Sequence, residues 1–125
     1  MNAPDPHFAA RIRESFGRQK AMALIGASLA RVEAGEVEIA LPWRDDLTQQ
    51  KGFVHGGVIG MIADTACGYA AYSLMPADSS LVTVEYKINI LAAGGAVGCI
   101  DIDETCLPQG VAILCEAAVQ GLAKA

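Results

Sequence analysis

The residues with the clearest chemical potential are His55, Gly56 and Gly57, which close the run Gly52-Phe53-Val54-His55-Gly56-Gly57 and lead into an apolar stretch whose only charged residue is Asp64. Two glycines after a histidine let the backbone approach a ligand with no side chain in the way. A helix starting there points its free N–H groups outward, where an oxygen gathers negative charge during acyl transfer. Asp64 is costly on a buried helix unless it is paired, so it needs a donor such as Thr65, Tyr69, Thr83 or a backbone N–H, or else a task. That task is attack on a carbonyl or activation of a water, and the residues leave the two open. His55 reads best as a positioning group that fixes the turn through its ring nitrogens.

Helical geometry constrains the pair. Nine residues at about 100° each set His55 and Asp64 roughly half a turn out of phase and about 13 Å apart along an axis. They form no dyad within one helix and no shared metal site of the His-x-x-x-His kind. If both serve one substrate, they come from different copies of the chain, at a dimer interface.

The segment from Gly56 to Met75 must hold this chemistry in place. Its length is close to that of a membrane span, but Asp64 sits in its middle, Gly60 and Gly68 interrupt it, and no Lys or Arg anchors its far end. It reads as a helix that is apolar on nearly all faces and must be enclosed. The rest of the chain supplies mostly strands to enclose it. Glu36 to Leu41 alternates and carries on to Trp43, with Ala34-Gly35 as a hairpin turn before it. Val82, Val84, Tyr86, Ile88 and Ile90 alternate with Thr83, Glu85, Lys87 and Asn89, which predicts a strand with the first set facing the core. Gly94-Gly95 and Pro108-Gln109-Gly110 mark turns, with a weaker strand pattern over Ala96 to Thr105 and another over Val111 to Val119. Short turns between consecutive strands imply an antiparallel sheet. Pro4 to Lys20 reads as an amphipathic helix with Phe8, Ile12 and Phe16 on one face, and Ala21 to Val32 fits either helix or strand.

The chain of 125 residues has the length of one domain, expected over 1–125 with 1–20 as a covering helix. Hydrophobic residues at 53% against 18% charged are many for a free monomer, which points to an oligomer interface and a dimer or tetramer. A net charge of −5 with no basic cluster argues against nucleic acid as a partner. Cys67, Cys99, Cys106 and Cys115 form no C-x-x-C pair and have only His7 and His55 to assist them, so reduced thiols are expected and neither a metal nor a cofactor. Met1 to Lys20 lacks the apolar core of a secretory signal, which makes the expected compartment cytoplasmic.

Gly52-Phe53-Val54-His55-Gly56-Gly57, then Ala63-Asp64-Thr65-Ala66, then Val82-Thr83-Val84-Glu85 with Asn89, resembles the hotdog-fold acyl-CoA thioesterases of the phenylacetic acid degradation (PaaI) type over roughly Glu36 to Leu91. The resemblance implies an α+β hotdog fold, a long central helix wrapped by a curved antiparallel β-sheet, in homodimers or homotetramers. It implies hydrolysis of an aromatic or medium-chain acyl-CoA. Asp64 would act as nucleophile or general base, and the Gly57 backbone N–H of the opposite subunit would polarise the thioester carbonyl. His55 would shape the turn and Thr83 would help to place the water, while Gly56, Val54 and Phe53 would lie against the substrate. Gln49 stands where several relatives carry Asn, and would hold the carbonyl or the water in its place. Leu91-Ala92-Ala93-Gly94 lacks the family's proline, and Leu122 to Ala125 reads as the stub of a last strand.

Phe53, Met61, Tyr69, Tyr72 and Leu74 are candidates for an apolar acyl pocket, each with plain core as its other reading. Lys51, Lys87 and Arg44 are candidates for the coenzyme A phosphates on charge alone. A serine esterase of the α/β-hydrolase kind also uses His-Gly-Gly, but Gly26-Ala27-Ser28-Leu29-Ala30 ends in the wrong residue for its nucleophile elbow and precedes the histidine. The alternative of another class is a non-catalytic hotdog domain that binds acyl-CoA as a regulator or scaffold.

Overall fold

The computed structural model describes residues 1–90 and the pair Ile100–Asp101. The N-terminal helix expected over Pro4 to Lys20 is α1, shorter at both ends at Phe8–Gly17, and a second helix, α2, follows over Lys20–Ile25. Phe8, Ile12 and Phe16 do share the inward face, with Ile12 fully buried. The amides of Arg18 and Gln19 bond back to the carbonyls of Ser15 and Phe16 and close α1, and Gln19 then turns extended and begins α2. Gly26, with a φ of 76°, ends α2 in the left-handed conformation that glycine adopts without strain. The ambiguous stretch after Lys20 therefore resolves into a helix and then a strand.

That strand, β1 (Ser28–Glu33), pairs antiparallel with β2 (Glu36–Ala40), and Val32 faces Val37 across the hairpin. The register slips once, between Leu29 and Arg31. Gly35 makes the turn at a φ of 82°, as predicted for Ala34-Gly35, and its N–H donates to the buried hydroxyl of Ser73 at 2.7 Å. Val37, Ile39 and Leu41 alternate inward and are buried in the core.

The helix they pack against, α3 (Gly56–Ser73), starts where His-Gly-Gly predicted and ends two residues short of Met75. Ile59, Ile62, Ala63, Ala66 and Ala70 are buried along it. Gly56, Gly60, Asp64 and Gly68 recur at steps of four and form one ridge of α3. Residues 81–90 run antiparallel along that ridge. Leu81 lies over Gly68, Thr83 bonds Asp64, the Tyr86 hydroxyl lies over Gly60, and Ile90 lies over Gly56. Three missing side chains let this segment approach the helix.

The facing of this segment corrects the sequence expectation. Val82 and Val84 were expected in the core but are 83% and 96% exposed, while Leu81 and Thr83 turn to the helix. The facing changes parity between Thr83 and Tyr86, because the Asp64 carboxylate draws the hydroxyl rather than a valine towards it. Within residues 81–90, ladder pairing is confined to β3 (Asn89–Ile90), which pairs with β4 (Ile100–Asp101), antiparallel as expected. The strand expected over Val111 to Val119, both glycine-marked turns after Leu91, the stub at Leu122 to Ala125, and Cys99, Cys106 and Cys115 lie outside the described residues. Cys67 is a free thiol. No helix among the described residues is long and apolar enough to cross a membrane.

Candidate active site

Asp64 is half-buried on α3, and the hydroxyl of Thr83 donates to its Oδ1 at 2.8 Å. Both line a cleft of about 380 Å³ that continues along α3 past Thr65, Gly68, Tyr69 and Tyr72. The opposite wall comes from Ser15, Arg18 and Gln19 of the N-terminal cover and from Ser80 and Leu81. A carboxylate with one oxygen steadied by a hydroxyl, open to a cleft of this size, can attack an electrophilic carbon or take a proton from water.

The other end of α3 carries the second half of the predicted site. His55 is the residue preceding the helix, and its Nδ1 accepts the Gly57 N–H at 2.9 Å. Its carbonyl takes the amides of Val58 and Ile59. The ring therefore serves as a helix cap, satisfying one of the donors that every helix start leaves open. The Gly56 N–H has no partner among the described residues. Seven residues separate Gly57 from Asp64, about 10 Å along the axis, so the glycines and the carboxylate of one chain stand apart.

The loop into α3 is held tightly. Thr48 bridges Val54, the Gln49 amide bonds the Phe53 carbonyl at 2.8 Å, and the His55 amide bonds the Leu47 carbonyl at 2.9 Å. Gly52 turns this loop at a φ of 82°. The Gln49 side chain accepts from the Lys51 amide within the loop and does not line the cleft with Asp64. Val54 is buried in the core, and Phe53 is partly exposed beside the loop.

Of the acyl-pocket candidates, Tyr69 and Tyr72 line the cleft, while Phe53, Met61 and Leu74 do not. Among the phosphate candidates, Arg44 is engaged by both carboxylate oxygens of Asp46 and by the Leu24 carbonyl. The guanidinium's hydrogen bonds hold the Asp46 carboxyl below the usual range. Ser15 and Gln19 were not foreseen as site residues. The one signal for them was Tyr69, a hydroxyl on an otherwise apolar helix that needs a partner on a neighbouring element.

A long helix enclosed by antiparallel strands, with a carboxylate in its middle and a glycine pair at its start, defines an α+β protein of the hotdog fold. Residues 51–97 match the family model described as the thioesterase superfamily. The fold is similar to the crystal structure of a thioesterase family protein from Silicibacter pomeroyi, at 44% identity and a TM-score of 0.68, covering 70% of this chain and 64% of that one. Two curated relatives are each named a putative esterase. The one from Halobacterium salinarum is 27% identical over 66% of this chain, and the one from Saccharolobus solfataricus 31% over 54%. The alignments cover 58% and 47% of the lengths of these relatives.

Proposed function

We propose that the protein is an acyl-CoA thioesterase of the PaaI type, acting in the cytoplasm on an aromatic or medium-chain acyl-CoA. The observation that carries this reading is Asp64 held by Thr83 in the cleft beside α3. The match to the thioesterase superfamily and the likeness to a thioesterase family protein support the reaction class. Asp64 either attacks the thioester carbon, expelling the coenzyme A thiolate and leaving a mixed anhydride for water to open, or takes the proton of a water that attacks the same carbon. Thr83 steadies the carboxylate or that water.

The carbonyl oxygen needs donors, and the Gly57 N–H of a second subunit supplies one across a dimer interface, with the adjacent Gly56 N–H beside it. The separation of Gly57 from Asp64 within a chain supports two copies, with a dimer or a pair of dimers as the working state. His55 sets the direction of the Gly57 N–H, which it shares with the substrate. Gln49, Phe53 and Val54 support this turn.

The test is thiol release from a panel of acyl-CoAs by the purified protein beside Asp64→Ala. Turnover lost in the variant supports the enzyme. No turnover on any substrate, or a variant equal to the parent, sinks it. One observation favours a non-catalytic acyl-CoA binder instead: the Gly57 N–H is already taken by His55. Tight binding without turnover would identify that case.

A further inference from the structure

Tyr69 lies five residues beyond Asp64, about 7.5 Å further along the axis of α3, and both line the cleft. Its ring is buried, and its hydroxyl joins the helix to the N-terminal cover. Gln19 Nε2 donates to it at 3.0 Å, and it donates to Ser15 Oγ at 3.0 Å. This arrangement leaves two groups uncommitted. The Ser15 hydroxyl proton has no acceptor and Gln19 Oε1 has no donor among the described residues. Both residues line the cleft, so it offers one donor and one acceptor on either side of the Tyr69 hydroxyl. Arg18, the cation on the same wall, is exposed and paired with Glu14 at 3.2 Å.

We infer that Ser15 and Gln19, held in place by Tyr69, are specificity-determining residues that bind a neutral polar group at the end of the acyl chain remote from the thioester. The inference rests on the reading of Asp64 as the site of thioester attack. A hydroxyl both donates and accepts, and so satisfies both free groups, whereas a hydrocarbon end of the same size leaves them without partners. The neighbouring wall of Tyr72, Gly68 and Leu81 suits the apolar part of such a chain.

The test compares hexanoyl-CoA with ω-hydroxyhexanoyl-CoA, which differ by one terminal hydroxyl. The parent is expected to prefer the hydroxylated substrate by about two- to tenfold in kcat/KM, the range of one neutral hydrogen bond. Ser15→Ala and Gln19→Ala are each expected to shrink that preference through KM of the hydroxylated substrate. Dissociation constants of the same two ligands for Asp64→Asn measure discrimination without turnover. If no acyl-CoA is hydrolysed but Asp64→Asn still prefers the hydroxylated ligand in a Ser15-dependent way, the thioesterase reading fails and these residues keep their role. Equal kcat/KM and equal binding of the two ligands in the Ser15- and Gln19-containing proteins, or a preference unchanged in both variants, overturns the inference.

Discussion

Thr83 donates to Asp64 Oδ1 at 2.8 Å across 19 positions of sequence, and this contact turns residues 81–83 towards α3 with Val82 outward. A hydrogen bond to a charged acceptor contributes about 1.5–3 kcal/mol, so losing it from a working carboxylate slows the reaction by roughly ten- to hundredfold. Thr83→Val is expected to lower kcat by that factor and Thr83→Ser to retain most of it, while Asp64→Asn abolishes turnover. Steady-state thiol release measures all three. A Thr83→Val protein within twofold of the parent would remove Thr83 from the reaction.

The glycine ridge is tested by filling it. A Cβ at Gly60 would meet the Tyr86 hydroxyl at 3.0 Å, and one at Gly68 would meet Leu81 at 3.4 Å, an ordinary contact. Gly68→Ala is expected to raise Tm, since alanine in a helix interior is favoured over glycine by about 1 kcal/mol. Gly60→Val pushes the covering segment off the helix and is expected to cost about 1–3 kcal/mol of stability. It should also lower activity, because Thr83 moves with that segment. Thermal melts with parallel kinetics decide the matter, and an active, unshifted Gly60→Val would show that 81–90 does not depend on the ridge.

The start of α3, the hairpin and the inward face of α1 were legible because each rests on local chemistry: a glycine pair after a histidine, a glycine at a turn, apolar residues at helical spacing. The facing of Val82 and Val84 was not. Alternation describes what a regular strand would bury, and here the demand of Asp64 for a donor decides which residue faces inward. Arg18 and Gln19 separate α1 from α2 directly after Gly17, a glycine that the apolar spacing of Phe8, Ile12 and Phe16 did not mark as an end. The wall of the cleft was the least legible part, since Ser15 and Gln19 acquire meaning only when Tyr69, at least 50 positions away, is brought to them.

Arg11 fastens α1 to the end of α3. Its guanidinium bonds the carbonyls of Tyr72, Met75 and Pro76 at 3.1, 3.0 and 2.9 Å, lies over the Tyr72 ring at 4.1 Å, and sits 3.1 Å from the buried carboxylate of Asp5. Nε makes that ion pair without an aligned hydrogen bond, so the carbonyl contacts and the stacking hold the group. Arg11→Ala leaves a buried charge unpaired and is expected to cost about 3–5 kcal/mol. Arg11→Lys keeps the charge but loses the planar fork, and should fall between alanine and the parent. Chemical denaturation gives the order, and equal midpoints for parent and Arg11→Ala would contradict it.

His55 separates a structural role from a catalytic one. As a cap, its Nδ1 satisfies the Gly57 N–H at 2.9 Å, a function that an asparagine side chain fulfils at the same position. His55→Asn is therefore expected to keep Tm close to the parent, and His55→Ala to lose about 1 kcal/mol of stability. If the Gly57 N–H also polarises the thioester carbonyl, its direction matters as much as its satisfaction. An asparagine oxygen holds it from a shorter arm than an imidazole nitrogen. His55→Asn should then fold like the parent yet turn over acyl-CoA more slowly, with the loss in kcat rather than KM because the donor acts on the transition state. A His55→Asn protein with unchanged kcat would make His55 a cap and nothing more, and would leave the carbonyl to the Gly56 N–H.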